Sequence, residues 1–211
     1  MSELRFNTIA TPASPATNKV KIYASQDALP LIRAIDSAGN NNSLTDISNA
    51  SVASQAPAAA TRTYITGSNI KIPATKLKIG TIFRWVFSMT KTAAGLAAST
   101  IDICFGTAGT TADTARVSFT KPAGTAVADE ALVTVMAIVR GPLSASGVVA
   151  GIFQMIHNLA ATGHAIIPCV SVTTISGAFD VTTPTNVGLC ITTGSADAIT
   201  LQCVTAEAIN L

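Results

Sequence analysis

Thr81-Ile82-Phe83-Arg84-Trp85-Val86-Phe87-Ser88-Met89-Thr90 alternates along its length. Phe83, Trp85, Phe87 and Met89 fall on one side of an extended chain. Arg84, Ser88 and Thr90 fall on the other, with Val86 the exception. A period of two belongs to a strand with one buried face; a helix would repeat every 3.6 residues. The pattern recurs outward from this stretch. Thr100–Phe105 turns Ile101, Ile103 and Phe105 inward and Asp102 outward, and Arg116–Thr120 turns Val117 and Phe119 inward. Leu132–Val139 and much of Val148–Leu159 are apolar on both faces, which places them between sheets or at a subunit contact. Pro168–Ile175, Val187–Thr193 and Ala198–Ile209 complete eight or nine strands.

Loops rich in Gly, Thr, Ala and Pro separate these segments, and helix start and stop signals are almost absent after residue 62. The expected fold is all-β: an antiparallel, jelly-roll-like sandwich over residues 62–211. An immunoglobulin sandwich would carry a Cys…Trp…Cys spacing that does not occur here. Residues 1–61 differ in character, being rich in Ala, Ser, Thr, Asn and Pro. In Lys19-Val20-Lys21-Ile22-Tyr23-Ala24, Val20 and Ile22 share one face, as in a strand wetted on the other. Leu29–Ile35 can pair with it as a short hairpin, and Gly39-Asn40-Asn41-Asn42-Ser43 reads as a loop. So few apolar residues cannot bury a core, so the region is expected to be an extended arm lying against a partner.

Composition excludes several classes of function. The chain has 211 residues, of which 13 are Lys or Arg and 11 Asp or Glu. A net charge of +2 leaves no basic stripe for nucleic acid. The longest apolar run, Ala131–Val139, is far short of the ~20 residues a spanning helix needs, so no membrane partner is expected. Met1–Arg5 has no apolar core of a signal peptide. Without one, Asn41-Asn42-Ser43 and Asn49-Ala50-Ser51 are chance glycosylation matches. Cys104, Cys169, Cys190 and Cys203 form no C-x-x-C pair; free, buried thiols are expected.

Motifs with chemical content are weak. Phe105-Gly106-Thr107-Ala108-Gly109-Thr110-Thr111-Ala112-Asp113 lacks the Lys of a Walker loop and the third Gly of a dinucleotide fingerprint. It reads as a connection whose glycines supply positive φ. His157 and His164 flank a loop and would need a third ligand to hold a metal. No G-x-S-x-G pentapeptide occurs. The acids Asp102, Asp113, Asp129, Glu130, Asp180, Asp197 and Glu207 are scattered, with no pairing that spacing alone assigns. Lys71, Lys76 and Lys78 read as a solvated face. No enzyme activity, cofactor or metal is expected.

Two stretches resemble tailed-bacteriophage virion structural proteins. Thr11-Pro12-Ala13-Ser14-Pro15-Ala16-Thr17-Asn18-Lys19-Val20-Lys21-Ile22-Tyr23-Ala24 is similar to the T-P-x-x-P-x-x-x-K-V-x-[IL]-Y-A opening of head-fibre, tail-fibre and minor structural proteins. Asp27-Ala28-Leu29-Pro30 stands where those relatives often have a D-G turn. Tyr64–Ser68, Gly80–Trp85, Lys91–Gly95, Phe105–Ala115 and Glu207–Leu211 resemble their body domain. The resemblance implies an anchor followed by a β-sandwich, usually oligomeric and often a homotrimer.

On that resemblance, residues 1–61 bind the major capsid protein through Arg5, Lys19, Val20, Lys21, Ile22 and Tyr23. Residues 62–211 project from the outer surface of the phage head as a decoration, cement or head-fibre protein. The doubly apolar strands form either a core or an interface between protomers. If an interface, its residues are Val133, Val135, Val139, Val149 and Phe153. The chain is short for a full tail fibre, which favours the head. A tail-associated receptor- or carbohydrate-binding module, taking a host-surface glycan, is the alternative. Trp85 sits on the apolar face of its strand and is expected in the core rather than as a sugar platform.

Overall fold

Alternation at Phe83, Trp85, Phe87 and Met89 is realised as a ten-residue strand with all four side chains fully buried. The computed structural model describes residues 8–9, 20–25, 32–36, 41–43, 47–74, 76–166, 169–194 and 198–209. Before residue 48, and at Cys169 and Val170, it describes the backbone alone. The strands are β1 (Thr8–Ile9), β2 (Val20–Ser25), β3 (Ile32–Asp36), β4 (Asn41–Ser43), β5 (Ile47–Ser51), β6 (Arg62–Tyr64), β7 (Ile70–Ile72) and β8 (Ile82–Lys91). They continue with β9 (Ser99–Gly106), β10 (Thr114–Lys121), β11 (Asp129–Val139), β12 (Val149–His157), β13 (Cys169–Ile175), β14 (Thr185–Thr192) and β15 (Ile199–Ile209). No helix occurs among the described residues.

The chain divides into two units, Met1–Ile47 and Ser48–Leu211. In the first, β1 pairs in parallel with β2, Thr8 opposite Ala24. β2 and β3 form the expected hairpin, Val20 opposite Asp36. β3 then pairs with β4, Arg33 opposite Ser43. Asn41–Ser43, read from its Asn content as loop, is therefore a strand: ladder bonds here override a local preference for turns.

The second unit is the sandwich. One sheet runs β13-β12-β11-β8-β15-β5; the other runs β10-β9-β14-β6, with β7 also on β14. The β8–β9 ribbon crosses from one sheet to the other alongside β14–β15. β8 pairs antiparallel with β15, and β9 with β14. That doubled crossing is the jelly-roll-like feature. The sheets meet through Phe83 and Phe105 at 6.1 Å between ring centres, and through Phe119 and Phe153 at 6.0 Å. Gly151 lets the second contact close: a Cβ there would lie 3.0 Å from the Phe119 ring.

The boundary falls at residue 47 rather than 61. Residues 48–61 carry too little apolar periodicity to read as part of a core, yet their backbone is held at the sandwich edge. β5 extends the six-stranded sheet beside β15. Gln55 exchanges two backbone hydrogen bonds with Leu201, and the Ala60 amide donates to the Thr193 carbonyl. The Gln55 side chain donates to the Thr66 carbonyl and accepts from its amide.

Candidate functional site

The outward face of the six-stranded sheet carries aliphatic side chains on β11 and β12, where a strand exposed to water would ordinarily be polar, with the Thr134–Gln154 pair among them. β11 turns Ala131, Val133, Val135, Ala137 and Val139 into the core. Its alternate residues Leu132, Met136 and Ile138 therefore face out. On β12, directly opposite, Ile156 pairs with Leu132, Ile152 with Met136 and Ala150 with Ile138. Ile175 of β13 follows Ala150, and Ile82 of β8 stands beside Ile138. Leu132, Ile138, Ile156 and Ile175 are 56%, 41%, 56% and 59% exposed. An open depression of about 690 Å³ lies here, lined by Ile82, Met136, Ile138, Ile152 and Ile175 with Arg140, Thr173 and Thr174. Arg84 and Glu207, on adjacent strands of this face, form an ion pair with each other.

At the β11–β12 end of the core, Asp129 gathers both histidines. Its Oδ2 lies 2.8 Å from His157 Nδ1 and accepts the His164 amide at 2.9 Å, while Oδ1 accepts the Glu130 amide. Burial alone would raise this carboxyl. Hydrogen bonds from the His164 amide, the His157 ring and the Glu130 amide outweigh it and hold Asp129 below the usual carboxylate range. His164 Nε2 is 3.0 Å from the Met89 carbonyl, and its Nδ1 is buried without a partner. Two buried lysines close the same region. Lys91 donates to the Thr92, Thr125 and Val127 carbonyls, and Lys121 to those of Pro122 and His164. Both histidines and Asp129 are thus engaged in tying loops 122–128 and 158–165 to the strands.

Burial first, then the charge of Lys121, pushes the His164 imidazole down to about 4. A histidine at about 6.5 when unfolded and about 4 when folded takes up its proton more readily in the unfolded chain. The native state therefore loses stability as pH falls from about 6.5 to about 4. Asp129 adds a loss of the same sign below the ordinary carboxylate value. Urea titrations at pH 7.5, 5.5 and 4.5 are expected to show His164 alone removing about 2.5 kcal/mol by pH 4.5. His164→Gln is expected to flatten that slope. An unchanged slope would place the acid sensitivity elsewhere.

A second polar centre lies on the outward side of the smaller sheet. Arg62 Nε meets Asp102 Oδ2 at 3.3 Å, and Nη2 meets Cys104 Sγ at 3.0 Å. Its Nη1 donates to the Thr111 and Asp113 carbonyls, pinning the Gly-rich loop. Ser118 donates to Asp102 at 2.7 Å. The Cys104 and Cys190 thiols hydrogen-bond to each other, which raises Cys104 and lowers Cys190. Burial pushes the Tyr64 phenol up, with Asp113 adding to it. Asp113 also accepts the Ala108 and Gly109 amides, so the loop's own carboxylate takes donors that a phosphate would need. Gly109 has φ +66°, as its loop role requires.

Arg5 and Lys19, read as capsid-binding, lie outside the described residues. Val20, Lys21, Ile22 and Tyr23 lie on β2, described by its backbone. Val133, Val135, Val139, Val149 and Phe153 are at most 1% exposed within one chain. The structure places them between the sheets, and the other half of the same strands forms the outer face. Trp85 is buried, as expected. Cys104 and Cys190 are free and buried. Cys203 is free but exposed, because the β15 bulge between Gln202 and Thr205 puts it at φ +52° on the surface. Asp102 faces away from the core as read, yet is 6% exposed because Arg62 and Ser118 cover it. No group of three or more His, Cys, Asp and Glu side chains among the described residues is placed to hold a metal ion.

A scan against protein-family models and a search of curated proteins find no match to this chain. Among solved structures, it is similar to a legume lectin-like domain from Entamoeba histolytica at 8% identity and TM-score 0.25, over 77% of this chain and 90% of that one. A fructofuranosidase from Schwanniomyces occidentalis, in complex with fructose, matches at 9% identity and TM-score 0.22. That match covers 89% of this chain and 39% of the enzyme's.

Proposed function

We propose that the chain is a structural component of a tailed-phage virion, a head decoration or head-fibre protein. Its N-terminal unit attaches to the major capsid protein, and its sandwich projects from the head. The observation that carries this reading is the division of the chain. A separate four-stranded unit contains the Lys19–Ala24 segment that resembles virion proteins, and a sandwich follows in which Arg62 binds Asp102 and His157 binds Asp129. Attachment through a short strand is a familiar route, since backbone hydrogen bonds supply affinity at a sheet edge. Immunogold electron microscopy of intact particles, with an antibody against residues 48–211, tests the reading. Label over the heads is expected, and deleting residues 2–24 is expected to remove it. Label confined to tails would overturn the head assignment, and unlabelled particles would overturn the virion role.

A further inference from the structure

We propose that the outer face of the six-stranded sheet binds a second copy of this chain about a two-fold axis, sheet against sheet. Three observations carry it. The first is the apolar surface itself. Leu132 and Ile156 stand at one end, Ile138 and Ile175 at the other, with Met136 and Ile152 between. Thr134 and Gln154, paired across β11 and β12, separate the first pair from the other four. Even so, monomeric proteins seldom expose so many aliphatic side chains on one sheet face.

The second is size. Five strands (β8, β11, β12, β13 and β15) at about 4.8 Å spacing, over about 30 Å of strand, give a face of roughly 700 Å², an aliphatic centre on β11 and β12 with a mixed polar rim on β8, β13 and β15. A stable pairwise interface buries about 800 Å² on each side. The face therefore has nearly the area a dimer requires.

The third is charge. Arg84 and Glu207 neutralise each other on the face and demand no outside partner. Glu130, exposed at the start of β11, and Arg140, exposed one residue beyond its end, remain at opposite edges. About 34 Å of strand separates them. A two-fold axis in the plane of the sheet and perpendicular to the strands lays each Glu130 over the partner's Arg140. An axis parallel to the strands would set like charges together, so charge complementarity selects the first. A single patch that contacts itself closes as a pair, whereas a trimer needs two different complementary patches. This interface stands independently of the virion reading.

Sedimentation equilibrium of the full chain, from about 1 to 100 µM, is the test. The wild-type chain is expected to dimerise. Ile138→Glu and Ile156→Glu, at opposite ends of the patch, are each expected to weaken the dimer at least tenfold. Both positions are exposed, so the near-ultraviolet spectrum of buried Trp85 should be unchanged in each. Glu130→Arg is expected to weaken the pair several-fold, and Glu130→Arg combined with Arg140→Glu to restore it. A monomer at every concentration, a trimer, or a dimer indifferent to all these substitutions would overturn the proposal. Immunogold results bear on where the chain sits and leave this interface untouched, so failure of either reading is told apart from failure of the other.

Discussion

Asp129→Ala is expected to cost about 3–5 kcal/mol, a large share of a domain's stability. The carboxylate is fully buried and accepts from two amides while contacting the His157 ring. Truncation leaves the His157 ring and two amides without their acceptor, and each lost buried partner costs about 1–3 kcal/mol. Water cannot replace the carboxylate easily, because the loop is closed tightly over it. A Cβ at Gly163 would lie within 2.1 Å of Asp129 Oδ2, and Gly163 holds φ +82°. Asp129→Asn keeps the shape and one acceptor oxygen, so it should lose less than the alanine variant. Urea midpoints followed by Trp85 fluorescence give both values. A loss below about 1 kcal/mol for Asp129→Ala would show that the histidine loop is held by its lysines instead.

Trp85→Ala is expected to be as damaging, by a different mechanism. Trp85 is fully buried in the centre of β8 and stacks on Phe83 at 6.0 Å. Removing a buried aromatic leaves a cavity and typically costs about 3–5 kcal/mol. The indole also donates to the Ser68 carbonyl at 2.8 Å. Ser68 in turn donates to the Ile65 carbonyl and accepts the Leu189 amide. The indole thereby ties the chain before β7 to both sheets. Trp85→Phe separates the two contributions: it keeps most of the volume and drops the hydrogen bond, for an expected loss of about 1–2 kcal/mol. Calorimetry should rank the variants wild type, Phe, Ala. Equal losses for Phe and Ala would assign the whole effect to the Ser68 bond.

The sandwich was legible wherever one face of a strand is wet. Phe83 to Met89 and Ile101 to Phe105 announce their parity because Arg84, Ser88 and Asp102 interrupt it. Parity was illegible in β11 and β12, where Leu132, Met136, Ile152 and Ile156 make the outer face as apolar as the inner one. Val133 and Phe153 could then be placed at a core or an interface with equal justice, and only register decides between them. The β5 segment was missed because Ile47-Ser48-Asn49-Ala50-Ser51 carries a single large aliphatic residue; its pairing with β15 is a backbone matter. The Asp129 centre was invisible for a further reason. Asp129, Lys91 and Lys121 are distant in sequence from the His157–His164 loop, and charged residues read as solvent-facing until the fold buries them.

The edge strand β5 also has a mechanical meaning. Tension applied through residues 1–47 enters the sandwich at β5, a five-residue strand, and passes to its neighbour β15. Ser48, Asn49 and Ala50 are exposed, so little apolar contact resists peeling there. After the ladder come the Gln55–Leu201 bonds, then the bond from Ala60 to Thr193. Residues 48–61, pulled straight, span about 50 Å. Under load the joint would therefore yield in steps and pay out slack, acting as a shock absorber while the crossed ribbons of β8–β9 and β14–β15 keep the body intact.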